Sequence, residues 1–122
     1  MKHILIIDDS PIIRKFGRLI FENLGFRVSE AEGDKDALER ARTEHPDYIL
    51  VDWVMPGVVS HDLIARLRRT LVEKPPYIIY LVTENDVQDI SRAFKAGADD
   101  YILKPFNRDI IEMKLHEIQV AA

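Results

Sequence analysis

The chain contains no cysteine, which excludes disulfides, thiolate metal sites and a thiol nucleophile and suits a reducing compartment such as the cytoplasm. Long apolar stretches are missing as well. The longest, Ile4-Leu5-Ile6-Ile7 and Tyr77 to Val82, fall far short of the roughly 20 residues that span a bilayer, so neither a membrane anchor nor a signal-peptide core is expected. Positive charge is not in excess: 17 Lys and Arg against 21 Asp and Glu leave a net charge of −4, which provides no electrostatic footprint for nucleic acid. No linker, repeat or low-complexity segment interrupts the sequence. What is present is a chain of 122 residues, 47% hydrophobic and 31% charged, which predicts one soluble domain over 1–122, large enough to bury a core without staples.

Short apolar runs alternate with helical periodicity throughout. His3 to Ile7 reads as a strand stopped at Asp8-Asp9-Ser10-Pro11, where Ser10 can cap a helix and Pro11 can occupy its first turn. That helix is expected to turn Ile12, Ile13, Phe16, Leu19, Ile20 and Leu24 inward and to stop at Gly25. Arg27 to Ala31 is a second strand, and Asp34 opens a helix with Ala37, Leu38 and Ala41 inward, ending before Pro46. Tyr48 to Asp52 is a strand with no polar alternation before its last residue, as expected of a strand covered on both faces. Leu63, Ile64, Leu67 and Leu71 mark a third helix, beside which Arg66, Arg68 and Arg69 read as a solvated face. Tyr77 to Val82 is a fourth strand, Asn85 to Ala96 a helix with Val87, Ile90 and Phe94 in the core, Tyr101 to Leu103 a fifth strand, and Asn107 caps a last helix carrying Ile111, Leu115 and Ile118. Five strand-then-helix units predict an α/β fold with a parallel sheet covered on both faces.

The polar residues fall where this arrangement makes them meet. Asp8 and Asp9 follow the first strand, Asp52 ends the third, Thr83 follows the fourth and Lys104 follows the fifth, so all five belong to one edge of a parallel sheet. Three carboxylates in one crevice repel each other unless a proton or a cation intervenes. Mg2+ suits them, being a hard ion that takes one or two carboxylates and accepts phosphate oxygens as further ligands. A lysine ammonium and a threonine hydroxyl opposite are then placed to hold the oxygens of a transferred phosphoryl group, with a carboxylate nucleophile forming an aspartyl phosphate.

Asp8-Asp9-Ser10, Asp52 with Met55-Pro56, Thr83, Gly97-Ala98-Asp99-Asp100-Tyr101 and Lys104-Pro105-Phe106 together resemble the response-regulator receiver domain, and within that family its single-domain, CheY-like members. The resemblance covers essentially the whole chain. It implies a flavodoxin-like, doubly wound five-stranded parallel sheet in the order 2-1-3-4-5 with five helices, and a site at the switch between the first and third strands. It further implies that Asp52 accepts a phosphoryl group from a phosphohistidine of a histidine kinase or histidine phosphotransfer protein. Mg2+ is then held by Asp9, Asp52 and the backbone carbonyl of Val54, with Asp8 acting through metal-bound water and Lys104 binding phosphate. Thr83 and Tyr101 are implied to be the switch that alters the face formed by the fourth helix, fifth strand and fifth helix for a downstream protein, with chemotaxis the best-known use. A cis peptide at Lys104-Pro105 is implied as well.

Two departures stand out: Ser60 where the family often has glycine, and Glu84 in place of a small residue after Thr83. By the same resemblance, Val54 and Asn85 occupy positions that in this family tune the attack of water on the phosphoaspartate, and Glu84 one that is expected to restrict access. The four histidines lack metal-ligand spacing and are expected to be exposed or locally bonded. Competing functions each miss a feature. A haloacid-dehalogenase-type phosphatase wants a second Asp where Val54 stands, and a flavodoxin-like electron carrier would place a flavin phosphate against Asp8 and Asp9. A receiver-shaped interaction module that is never phosphorylated leaves the intact acidic cluster without a role. The expectation is therefore a self-phosphorylating switch rather than a turnover enzyme.

Overall fold

The computed structural model describes residues 2–52, 55, 57–83 and 86–121, with 119–121 described by their backbone alone. Strands and helices alternate as β1 (His3–Ile7), α1 (Pro11–Asn23), β2 (Arg27–Ala31), α2 (Asp34–Glu44), β3 (Tyr48–Asp52), α3 (Ser60–Thr70), β4 (Tyr77–Val82), α4 (Val87–Ala96), β5 (Asp100–Leu103) and α5 (Arg108–Ala121). All strand pairs are parallel and the sheet order is β2-β1-β3-β4-β5, as the repeating pattern and the receiver resemblance implied.

Because helices cover both faces, the central strands are apolar except at His3 and Asp52 but sort their side chains by parity. Leu5, Ile7, Ile49, Val51, Ile78, Tyr80 and Val82 share a core with Ala37 and Ala41 of α2, Leu63, Ile64 and Leu67 of α3, and Ile90 and Ala93 of α4. Ile4, Ile6, Leu50, Ile79, Leu81 and Ile102 share the other with Ile20 and Phe21 of α1 and Ile111, Leu115 and Ile118 of α5. The register pairs Ile7 with Val51, Asp52 with Leu81 and Val82 with Leu103, so the carboxyl ends of these four strands finish within two residues of one another.

Local chemistry sets the element ends. Ser10 Oγ accepts from the Ile13 amide at 3.3 Å with Pro11 in the first turn of α1, and Asn107 Oδ1 accepts from the Ile110 amide at 2.9 Å. At the end of α1, Gly25 has φ 91°, and its amide and that of Phe26 donate back to the carbonyls of Glu22 and Phe21. As expected, α2 opens at Asp34, with Gly33 at the N-cap; the Asp34 carboxylate lies in the first turn, where it favours the helix dipole, and accepts from the Lys35 amide at 2.8 Å.

Three expectations about helix faces are overturned. In α1 the buried residues are Gly17, Ile20 and Phe21, while Ile12 and Leu19 are 79% and 60% exposed. Gly17 is what lets the helix turn this way, since a Cβ there would sit 3.0 Å from Ile6 Cδ1. In α4, Ile90 and Ala93 face the sheet, and Val87 and Phe94 are exposed rather than in the core. Spacing alone marks an apolar stripe but not which flank of a wide stripe meets the sheet. Third, Arg68 is not part of a solvated face: its guanidinium donates to the Gly97 carbonyl at 2.7 Å and the Pro76 carbonyl at 2.6 Å, and pairs with Asp99.

Candidate functional site

Asp52 ends β3 with its side chain buried. Its Oδ1 accepts a hydrogen bond from Lys104 Nζ at 2.6 Å, and its backbone carbonyl accepts one from Ser60 Oγ at 2.7 Å. Ser60, noted in the sequence only as a departure from glycine, thus ties the first turn of α3 to the end of β3. Lys104 is delivered by β5, where its amide donates to the Val82 carbonyl at 2.6 Å and the Lys104-Pro105 bond is cis, as the resemblance implied.

Asp8 lies on the other side of Lys104. Its amide donates to the Ala31 carbonyl at 3.1 Å, its Oδ1 accepts from the Ser10 amide at 2.9 Å, and its carbonyl accepts from Arg14 Nη1 at 2.6 Å. Its Oδ2 is buried with no hydrogen-bond partner among the described residues, the nearest cation being Lys104 Nζ at 3.6 Å. Burial pushes the Asp8 carboxyl up to about 6; the Ser10 amide opposes that shift and the charge of Asp52 adds to it. Asp9 is exposed at the mouth of the crevice, and one oxygen from each of Asp8, Asp9 and Asp52 lies within 4.8 Å of the others. Three carboxylates facing a single ammonium, one of them with a buried oxygen left without a donor, make a set that fits a hard divalent cation.

Thr83 is exposed just past β4. It borders an apolar groove of about 460 Å³ with Ile13, Phe16, Lys104, Pro105 and Phe106, and its hydroxyl has no hydrogen-bond partner among the described residues. Tyr101 is half-buried in β5, edge-on to Phe94 of α4 with ring centroids 6.4 Å apart, and Lys114 Nζ of α5 lies 6.0 Å from its ring centroid. Val54, Glu84 and Asn85, expected to ligate metal or tune rates, and Trp53 and Pro56 beside them, lie outside the described residues. The structure therefore brings Asp8, Asp9, Asp52 and Lys104 together, with Thr83 at the margin. Sequence reasoning passed over Arg14 and Ser60, whose only signal was hydrogen-bonding capacity next to strand ends.

The model of the response regulator receiver domain matches residues 4–116. The chain belongs to the response-regulator receiver family. Among curated relatives, this receiver is 32% identical over 118 residues to the transcriptional regulatory protein AfsQ1 of Streptomyces coelicolor, covering 97% of this chain and 51% of that protein. It is 33% identical over 106 residues to the phosphate regulon transcriptional regulatory protein PhoB of Escherichia coli, covering 87% of this chain and 46% of that protein. The chain thus spans about half the length of the curated relatives it matches. Of solved structures, the chemotaxis protein CheY4 of Vibrio cholerae superposes with a TM-score of 0.90 at 26% identity, covering 96% of this chain and 98% of that one. A BeF3-activated DrrB receiver domain does so with a TM-score of 0.82 at 26% identity, covering 96% of each chain. Among the described residues, no helix of the receiver is long and apolar enough to cross a membrane.

Proposed function

We propose that this receiver is the phosphoacceptor of a cytoplasmic two-component relay, with Asp52 as the accepting carboxylate. The observation that carries the reading is the buried Asp52 carboxylate bonded to Lys104 Nζ at 2.6 Å while Asp8 and Asp9 share the same crevice. An Asp52 oxygen attacks phosphorus on a partner's phosphohistidine. The new P–O bond forms as the P–N bond breaks, with the electron pair leaving on the imidazole nitrogen. Lys104, already aimed at the attacking carboxylate, can hold a phosphoryl oxygen, and the Thr83 hydroxyl is the second donor for it. Asp9, Asp52 and the Val54 carbonyl would hold Mg2+, with Asp8 bonded through water; when bound, the ion supplies charge neutralisation for the phosphoryl oxygens. Buried Asp8 Oδ2 has no donor among the described residues, and a metal-bound water would provide one.

Signalling then follows by protein contact: phosphorylation biases a two-state surface on α4, β5 and α5. Val87, Phe94, Leu103 and Met113 are exposed apolar residues on those elements, which supports a partner-binding face there. The receiver is a switch that catalyses its own phosphorylation and slow dephosphorylation. Apolar Val54 orients water poorly, so a phosphorylated Val54→Asn variant is expected to decay faster than the parent. Solved and curated relatives carry chemotaxis and transcriptional-regulator names, so the output class lies with the partner or with a longer protein. The net charge of −4 disfavours nucleic acid at the receiver surface alone.

The decisive test offers a phosphohistidine donor, or beryllofluoride with Mg2+, to the wild type and to Asp52→Asn while following phosphate incorporation and Trp53 emission. Incorporation and an emission change are expected in the wild type alone. Equal incorporation in Asp52→Asn would overturn the assignment.

A further inference from the structure

Tyr80 is buried in β4 on the face toward α3 and α4, and its hydroxyl meets polar groups from both helices. It donates to Asp89 of α4, with Oδ2 at 3.1 Å and Oδ1 at 3.4 Å, and lies 3.4 Å from His61 Nε2 of α3. His61 Nε2 is in turn 3.0 Å from Asp89 Oδ1, and the His61 and Tyr80 rings are 5.6 Å apart. Burial, reinforced by the Asp89 charge, pushes the Tyr80 hydroxyl well above its ordinary pKa, which keeps it a donor. None of these residues belongs to the acidic crevice.

The three groups act on a particular piece of chain. Asp89 sits in the first turn of α4, next to the N-cap Asp86, whose Oδ1 accepts from the Gln88 and Asp89 amides. That turn is the far anchor of the connection from Val82 to Val87 that carries Thr83. At the opposite end of α4, Arg68 of α3 holds the Gly97 carbonyl at 2.7 Å. Helix α3 therefore grips α4 at both ends, unequally. The Gly97 end is a permanently charged guanidinium with two carbonyls and the Asp99 carboxylate as acceptors, whereas the Asp89 end is one carboxylate met by an uncharged tyrosine hydroxyl and a histidine nitrogen. The connection that carries Thr83 hangs from the weaker end.

We propose that Tyr80, Asp89 and His61 are positioning residues that hold the first turn of α4 where it stands here, with no partner for the Thr83 hydroxyl among the described residues, so that loosening them favours the phosphoryl-bound arrangement. The effect on phosphorylation rests on the reading of Asp52 and Thr83 given above; the tether itself does not. A group shifts such an equilibrium only by bonds it makes better in one state, and each bond here is worth a few-fold.

Tyr80→Phe removes only the hydroxyl, and His61→Gln is a second variant on the more exposed side. With saturating Mg2+, both are expected to bind beryllofluoride about 3- to 10-fold more tightly than the wild type, with Mg2+ affinity unchanged. Amide exchange is expected to rise several-fold at residues 86–90 and to stay unchanged at 95–99. Unchanged or weakened beryllofluoride affinity in both variants overturns the proposed direction of coupling, even if stability falls. If the wild type itself fails to bind beryllofluoride, the phosphoacceptor reading falls. Exchange in the metal-free protein still decides the tether: protection at 86–90 equal to wild type in both variants overturns it.

Discussion

Asp8 is the residue on which the crevice is most finely balanced. Its folded pKa of about 6 stands above the ordinary 3.8, so above pH 6 the fold holds an ionised group that the unfolded chain accommodates more easily. The sign follows: this site contributes stability at low pH that is lost as pH rises through 6. Metal-free Asp8→Asn is therefore expected to be more stable than the wild type by about 1–3 kcal/mol at pH 8, with the gap closing toward pH 4. Denaturant titrations at several pH values measure it, and a gap that ignores pH would refute it. Lys104 poses the complementary question, since its ammonium occupies Asp52 at 2.6 Å and stands 3.6 Å from Asp8. Lys104→Met removes both a competing cation and a phosphate ligand. Mg2+ is expected to bind several-fold more tightly while phosphoryl transfer drops by about 100-fold or more; loss of both affinities together would show that Lys104 chiefly maintains the fold. These residues were legible in the sequence because each follows a strand directly. Ser60 was not, because its bond to the Asp52 carbonyl exists only once α3 starts beneath β3.

Among the elements, α3 is the one whose role the sequence concealed. Arg66, Arg68 and Arg69 look equivalent on paper, yet Arg68 alone reaches two backbone carbonyls and Asp99, and Asp99 in turn accepts from the Ile78 amide at 2.8 Å. Arg68→Met is expected to cost about 2–4 kcal/mol of unfolding free energy, leaving Asp99 without its charge partner. Arg69→Met should stay within about 0.5 kcal/mol. Gly97 belongs to the same joint, with φ 128° and a Cβ position that overlaps Arg68 Cγ; alanine there is strained twice over. Toward the β2 edge of the sheet, His3 ties β1 to β2 and α2. Arg27 Nη2 can only donate, so at 3.2 Å it makes His3 Nδ1 an acceptor, while Nε2 lies 2.7 Å from Ser29 Oγ. Burial, then the Arg27 charge, lowers the His3 pKa below 6.5. Its contribution is present above pH 6.5 and lost as pH falls, and His3→Gln should flatten that part of the stability profile. A wild-type slope retained in the variant would place the titration elsewhere.

For the molecule as a whole, the sheet separates two cores that meet only through its strands, and the crevice lies at the end of that partition. Any ligand bound there stabilises the entire domain by mass action. Mg2+ at about 100 times its dissociation constant is expected to add about 2.7 kcal/mol, raising the thermal midpoint by several degrees. Asp9→Asn, altering an exposed carboxylate outside both cores, should abolish most of that increment and leave the metal-free midpoint nearly unchanged. Calorimetry with and without chelator reads both, and an equal Mg2+ increment in the variant would remove Asp9 from the ligand set.

By itself the amino-acid order determined the alternation of strands and helices, the parallel class of the sheet and the edge on which Asp8, Asp9, Asp52 and Lys104 gather. Those follow from local periodicity, from turn chemistry and from the rule that parallel strands end on one side. Only the tertiary structure decided which flank of α1 and α4 is buried, that Arg68 is a joint and Arg69 a surface charge, and that His61 meets Tyr80 and Asp89. Each of those depends on how one helix is rotated against its neighbours, a long-range packing choice on which spacing along the chain carries no information.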